Sequence, residues 1–144
     1  MFEVHCGDDF HFSGQAYTCS LYIETESGCF PSDDWIDFPQ AVLDWWIQEL
    51  KSVMLGSERY TYVFRFMDGP YSVYCEKEKE QLLLSFFRYD TKVCPDRWTS
   101  IREMRAGILS ALKTLLSRLY LNGYAECVSA VSEMIKDLQT VSAS

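Results

Sequence analysis

No lysine or arginine occurs in the first fifty residues of this chain, and the first basic side chain is Lys51. A segment without cations has nothing with which to neutralise phosphate, and its field repels nucleic acid and anionic membrane alike. Other absences narrow the chemistry. There are two histidines, His5 and His11, so any Cys-His or Ser-His pair must use one of them. No CxxC, HxxxH or HExxH spacing is present to hold a metal, no GxSxG elbow to raise a nucleophile, and no glycine-rich loop to cradle phosphate. No run approaches the ~20 apolar residues of a membrane-spanning helix, and residues 1–12 lack the basic-then-apolar pattern of a secretory leader. The expectation is a cytoplasmic protein with no cofactor and no metal, and with neither nucleic acid nor membrane among its partners.

What the same fifty residues do contain is ten carboxylates: Glu3, Asp8, Asp9, Glu24, Glu26, Asp33, Asp34, Asp37, Asp44 and Glu49, set among many aromatics. Residues 97–144 hold six basic against four acidic side chains, a net +2, so the preceding 96 residues carry −10 and the whole chain −8. A concentrated negative field attracts and orients basic proteins. With 144 residues, about half of them apolar, the chain can bury one sizeable core. An aromatic content of 15% argues against disorder. The six cysteines, at 6, 19, 29, 75, 94 and 127, fall well short of the ~8% found in disulfide-stapled scaffolds. They read as reduced thiols packed as small hydrophobes.

Phe2, Val4 and Cys6 alternate with Glu3 and His5, and Tyr17, Cys19, Leu21 and Ile23 alternate with Thr18, Ser20, Tyr22 and Glu24. Period two predicts two half-buried strands, paired antiparallel through the turn residues Gly7-Asp8-Asp9 and Ser13-Gly14. A helix is predicted from near Asp37, capped by that carboxylate with Gln40 three residues on and Pro39 in the first turn. It runs through Val42, Trp45, Trp46, Leu50 and Val53 to Gly56, and its narrow polar stripe of Gln40, Asp44, Gln48 and Lys51 predicts deep packing on a sheet. A three-stranded meander follows. Its first strand covers 59–67, with Tyr60, Tyr62, Phe64 and Phe66 on one face and Arg59, Thr61, Val63 and Arg65 on the other. Asp68-Gly69-Pro70 turns the chain into a strand carrying Tyr71, Val73 and Cys75, the charged run 76–80 reads as a solvated turn, and 81–89 is the third strand.

Ser100 with Glu103 three residues later announces a second helix, striped by Ile101, Met104, Ile108, Leu112, Leu115 and Leu119 and stopped by Asn122-Gly123. Gly107 within it would permit close helix packing. A third helix over about 125–140 would fold back on the second. The order β-β-α-β-β-β-α-α describes an α+β fold: an antiparallel sheet of about five strands packed against helices, with a C-terminal helical hairpin, in a single domain over 1–144.

His5, Cys6, Asp8, Asp9 and His11 have donor types that suit zinc. However, His5 and Cys6 are neighbours on a strand and point to opposite faces, and His11 lies across a turn. A nucleophilic dyad of Cys6, Cys19 or Cys29 with His5 or His11 is the enzyme alternative, against the simpler reading that these thiols pack within strands. Asp33-Asp34, between Pro31 and Trp35, is the one adjacent carboxylate pair in a setting that invites acid–base work, with a turn and the positive end of the following helix as the competing explanation. Arg59 and Arg65 on one strand face, and Arg97, Arg102 and Arg105 in the C-terminal half, read as solvated or salt-bridged faces.

Two stretches, Phe30-Pro31-Ser32-Asp33-Asp34-Trp35-Ile36-Asp37-Phe38 running into Leu43-Asp44-Trp45-Trp46, and Phe64-Arg65-Phe66-Met67-Asp68-Gly69-Pro70-Tyr71, resemble the pattern of small bacterial proteins grouped with the immunity proteins of polymorphic toxin systems. The resemblance covers about residues 28–90 and carries no functional residue with it. It implies a small cytoplasmic, non-catalytic inhibitor that occludes a toxin's active site, and a basic toxin domain would match the charge of this chain. Residues expected at such an interface are the carboxylates Glu24, Glu26, Asp33, Asp34 and Asp44, with Tyr22, Phe30 and Trp35 as aromatic anchors. The alternatives are a structural or regulatory interaction domain unrelated to toxins, and a small-ligand binder or an enzyme using His5 or His11 with a nearby cysteine.

Overall fold

The computed structural model describes residues 1–14, 16–56, 61–67 and 69–141. Among them are β1 (Glu3–Cys6), β2 (His11–Ser13), β3 (Ala16–Thr25), β4 (Gly28–Phe30), β5 (Ile36–Asp37), α1 (Pro39–Leu55), β6 (Thr61–Arg65), β7 (Tyr71–Glu78), β8 (Gln81–Arg88), β9 (Thr91–Lys92), β10 (Arg97–Ser100), α2 (Ile101–Leu121) and α3 (Ala125–Thr140). The fold is α+β with a C-terminal helical pair, and its strands are divided between two antiparallel sheets of five. No helix among the described residues is long and apolar enough to cross a membrane.

The first sheet is organised by β3, which pairs with β1, β2, β4 and β5. Alternation along β3 sends Tyr17, Cys19, Leu21 and Ile23 into the core, and the β1 register, Glu3↔Glu24 to Cys6↔Leu21, places Val4 and Cys6 beside them. The second sheet, in the order β10-β8-β7-β6 with β9 beside β8, contains the expected meander. The expected first strand included Arg59 and Tyr60, which lie outside the described residues, as does Asp68 of the following turn.

The charged run after Cys75 is strand, not turn, as far as Glu78; only Lys79 and Glu80 form the turn, Lys79 at φ 57°. Glu76 and Glu78 face solvent, while the Lys77 amine donates to the Val53 carbonyl at 3.0 Å and satisfies an orphan acceptor at the end of α1. A fourth ladder strand, β10, also went unanticipated. It leads directly into α2, whose N-cap Ser100 accepts from Glu103 N at 3.0 Å as the sequence predicts.

The start of α1 departs from expectation. Its N-cap is Phe38, with no side-chain cap and with Pro39 at N1, where a missing N–H costs nothing. Asp37 instead accepts from Phe38 N, Met67 N and Trp35 Nε1, and Gln40 accepts from the Tyr17 hydroxyl at 2.9 Å. These bonds belong to a larger pattern along the outer edge of β6. Val63 N donates to Glu49, Arg65 O accepts from Trp46 Nε1 at 2.8 Å, and Met67 N donates to Asp37, so alternate residues find side-chain partners from β5 and α1. A sheet edge that would otherwise be open to pairing is closed.

Trp46 is 1% exposed, edge-on to Phe64 and Phe66, whereas Trp45 is 44% exposed. The 100° step between helical neighbours explains the difference. The two C-terminal helices run antiparallel, with Arg105 near the start of α2 donating to the Leu138 and Gln139 carbonyls at the end of α3. Lys51 of α1 reaches Asp137 of α3 at 2.6 Å. Gly107 admits Phe2 in place of a helix neighbour, since a Cβ there would stand 3.0 Å from the Phe2 ring. Phe30, 3% exposed, packs edge-on to Phe66, Tyr71 and Phe86 and joins the core of the two sheets.

Candidate functional site

The alternation that buries one face of β3 turns Thr18, Ser20, Tyr22 and Glu24 to the other. Register then decides which side chains join them: Glu3 lies opposite Glu24, His5 opposite Tyr22, Cys29 opposite Glu24 and Ile36 opposite Ser20. His5 Nε2 is 2.9 Å from a Glu24 carboxylate oxygen and 3.8 Å from one of Glu3, and its ring stacks on Tyr22 with centroids 5.1 Å apart. Burial pushes the Tyr22 phenol above its ordinary value, and Cys29, Glu24 and Asp33 around it push the same way. Beside them Asp9 folds back to accept from Ser20 N at 2.8 Å and Ser20 Oγ at 3.0 Å. Burial alone would raise that carboxyl, but the bonds from Ser20 and the charge of Arg118 outweigh it and hold Asp9 below the usual carboxylate range.

This face gathers three of the residues expected from sequence, Tyr22, Glu24 and Asp33, and adds Glu3 and His5. The other five are placed differently. Asp34 is exposed in the β4–β5 loop and accepts from Ser32 Oγ at 2.7 Å. Glu26, in the β3–β4 turn, takes a hydrogen bond from the amino terminus, which holds its carboxyl below the ordinary range. Trp35 is half-buried, edge-on to Tyr71 at 5.1 Å, with its indole N–H committed to Asp37. Phe30 is a core residue, so the anchor role expected of it is withdrawn. Asp44 lies apart, on a groove of about 380 Å³ between α1 and α3 that Tyr17, Gln40 and Met134 also line. Glu3 and His5 were legible as outward-facing from the period of β1. Their meeting with Glu24 depended on a register that sequence does not give.

Glu3, His5 and Glu24 are also the set of described residues whose ligand atoms converge, all within 4.8 Å. One imidazole and two carboxylates suit a divalent transition ion. His5 Nε2 and the Glu24 carboxylate oxygen stand 2.9 Å apart, the distance of a hydrogen bond in the Nε2–H tautomer, and an ion bound here would displace that proton. Neither imidazole is set beside an activated thiol. Cys6 and Cys19 lie against each other on the core side of the sheet, where their mutual hydrogen bond and burial push the Cys6 thiol up. Burial, then Glu24 and Asp33, push Cys29 up, and burial pushes Cys75 up to about 12. A nucleophilic cysteine needs the opposite shift.

No family model, no curated protein and no solved structure matches this chain.

Proposed function

We propose that this chain is a non-catalytic protein-binding domain whose partner is a basic protein, received on the exposed face of the first sheet, and that it acts as an immunity-type inhibitor of a bacterial toxin domain. The observation that carries the reading is the convergence of Glu3 and Glu24 around the Tyr22–His5 stack, with the charge of Asp33 acting on Tyr22 from the β4–β5 loop, on a surface that also bears the exposed Ile36. Carboxylates so placed steer a cationic partner, while a ring and an aliphatic side chain at their centre supply area to bury. Inhibition would follow from occlusion, which asks no chemistry of the inhibitor. Six cysteines, unpaired and at least partly buried, suit a reducing cytoplasm.

The test is equilibrium binding to the toxin domain encoded beside this protein, with inhibition of that toxin as the second readout. Glu24→Lys combined with Asp33→Lys is expected to weaken binding at least about tenfold, while Asp44→Lys, on the α1–α3 groove, leaves it within about twofold. Equal effects at the two places would remove the assignment to this face. A chain that binds no neighbouring toxin would be an interaction domain of another kind.

A further inference from the structure

The second sheet poses a question that the first does not. Strand β8 buries Leu82, Leu84 and Phe86 against the core, and it also turns two large apolar side chains, Leu83 and Phe87, the other way beside Gln81 and Ser85. An antiparallel sheet commonly packs one face on the core and leaves the other to solvent, and large apolar side chains gathered on that outer face mark an interaction surface. Here the helices and the first sheet cover one. The registers Val63↔Tyr74↔Ser85, Glu76↔Leu83↔Trp98 and Arg65↔Ser72↔Phe87↔Lys92 place Val63, Tyr74, Leu83, Phe87 and Trp98 together on the outer face. Trp98 is 55% and Tyr74 37% exposed, and Tyr74 stands edge-on to Phe87 at 5.0 Å.

We propose that this face binds the same face of a second copy of the chain, in a twofold dimer. The charges around the patch select that occupant. Glu76 lies at one end of the strands, in the row of Leu83 and Trp98, and Arg65 and Lys92 lie at the other, in the row of Phe87. Lys92 is held by Asp96 at 3.0 Å, whereas Arg65 and Glu76 have no ion-pair partner among the described residues. A twofold axis lying between two such faces and running across the strands reverses strand direction, so each row meets the opposite row of the other copy. Leu83 then meets Phe87, Trp98 meets the side of Lys92, Glu76 comes beside Arg65, and Val63, Tyr74 and Ser85 meet their own equivalents at the axis. An isologous interface requires one patch to complement itself in this way. Two sheets packed face to face at about 10 Å would cover Leu83 and Phe87. The dimer leaves the acidic face of the first sheet open, so it stands apart from the function proposed above.

Sedimentation equilibrium of the full chain from low to high micromolar concentration reads the proposal directly. The mean mass is expected to rise from that of a 16.7 kDa monomer toward twice that value. Tyr74→Glu should hold the chain monomeric. Arg65→Glu and Glu76→Arg should each weaken the dimer about tenfold or more, and the two together should restore it, because each copy then offers the exchanged pair. Both charged positions are exposed, and unchanged circular dichroism and melting temperature confirm that the variants fold. A wild-type chain that stays monomeric throughout, a dimer indifferent to Tyr74→Glu, or a double variant that fails to recover would each overturn the proposal.

Discussion

Asp37 holds two layers together through one carboxylate. It is 2% exposed and accepts from Phe38 N at 2.8 Å, Trp35 Nε1 at 2.9 Å and Met67 N at 3.1 Å, so it ties β5, the start of α1 and the end of β6 to a single point. Removing it strands several donors in a region closed to water. Asp37→Ala should therefore cost about 3 kcal/mol or more in urea unfolding, against under about 1 kcal/mol if these bonds were incidental. Asp9 makes a different prediction, in pH. Its folded-state carboxyl sits below the ordinary value, so its contribution is present above the unfolded pKa and is lost as pH falls through the folded one. Asp9→Asn should flatten the acid side of the stability profile, read as the urea midpoint at stepped pH below 5; an unchanged acid limb would contradict the role given to Ser20. Asp37 and Phe30 are the two residues of this region whose surroundings are not legible from local pattern. Local sequence puts Asp37 at the correct helix end but in a capping role, because its partner Met67 is thirty residues away, and it puts Phe30 at the surface because β4 is too short to display a period.

The elements with a sustained pattern were legible and the short ones were not. α3 covers the residues its stripe assigns, and α2 starts at the capping serine and stops at Asn122-Gly123, because each signal there is local. Strands β2, β4, β5 and β9 span two or three residues each, which is below the length at which alternation can be recognised, and they exist because β3 and β8 offer free edges. The packing of α1 was foreseeable from adjacent tryptophans, since only one can face inward. Trp46→Ala should cost roughly 3 to 5 kcal/mol and Trp45→Ala less than about 1 kcal/mol in chemical denaturation. Comparable losses at the two positions would contradict this orientation. The β1–β3 ladder yields a further expectation: its strands are paired in register and His5 has Glu24 as a hydrogen-bond partner, so its stability is expected not to depend on an ion. A strong chelator should leave the melting temperature unchanged, and a fall of several degrees reversed by zinc would show that Glu3, His5 and Glu24 hold a metal instead.

At the scale of the molecule, charge and packing divide the chain's surface into faces of different character. The first sheet turns its carboxylates outward around an aromatic stack, and the second turns out an aromatic patch with balanced charge. The acidic bias was legible from composition alone; which carboxylates act together was not, because Asp44 and Glu24 are close in character and far apart in the fold. Under the proposed function, Glu3, Glu24 and Asp33 act as one steering field for a basic protein. The most direct test of that claim is the association rate with the neighbouring toxin domain as a function of ionic strength. For the wild-type chain the rate should fall steeply with added salt. With Glu24→Lys and Asp33→Lys it should start about tenfold lower and lose most of that salt dependence, while Tyr22→Ala acts mainly on dissociation. An association rate indifferent to salt, or equally salt-dependent in the charge-reversed chain, would contradict the claim.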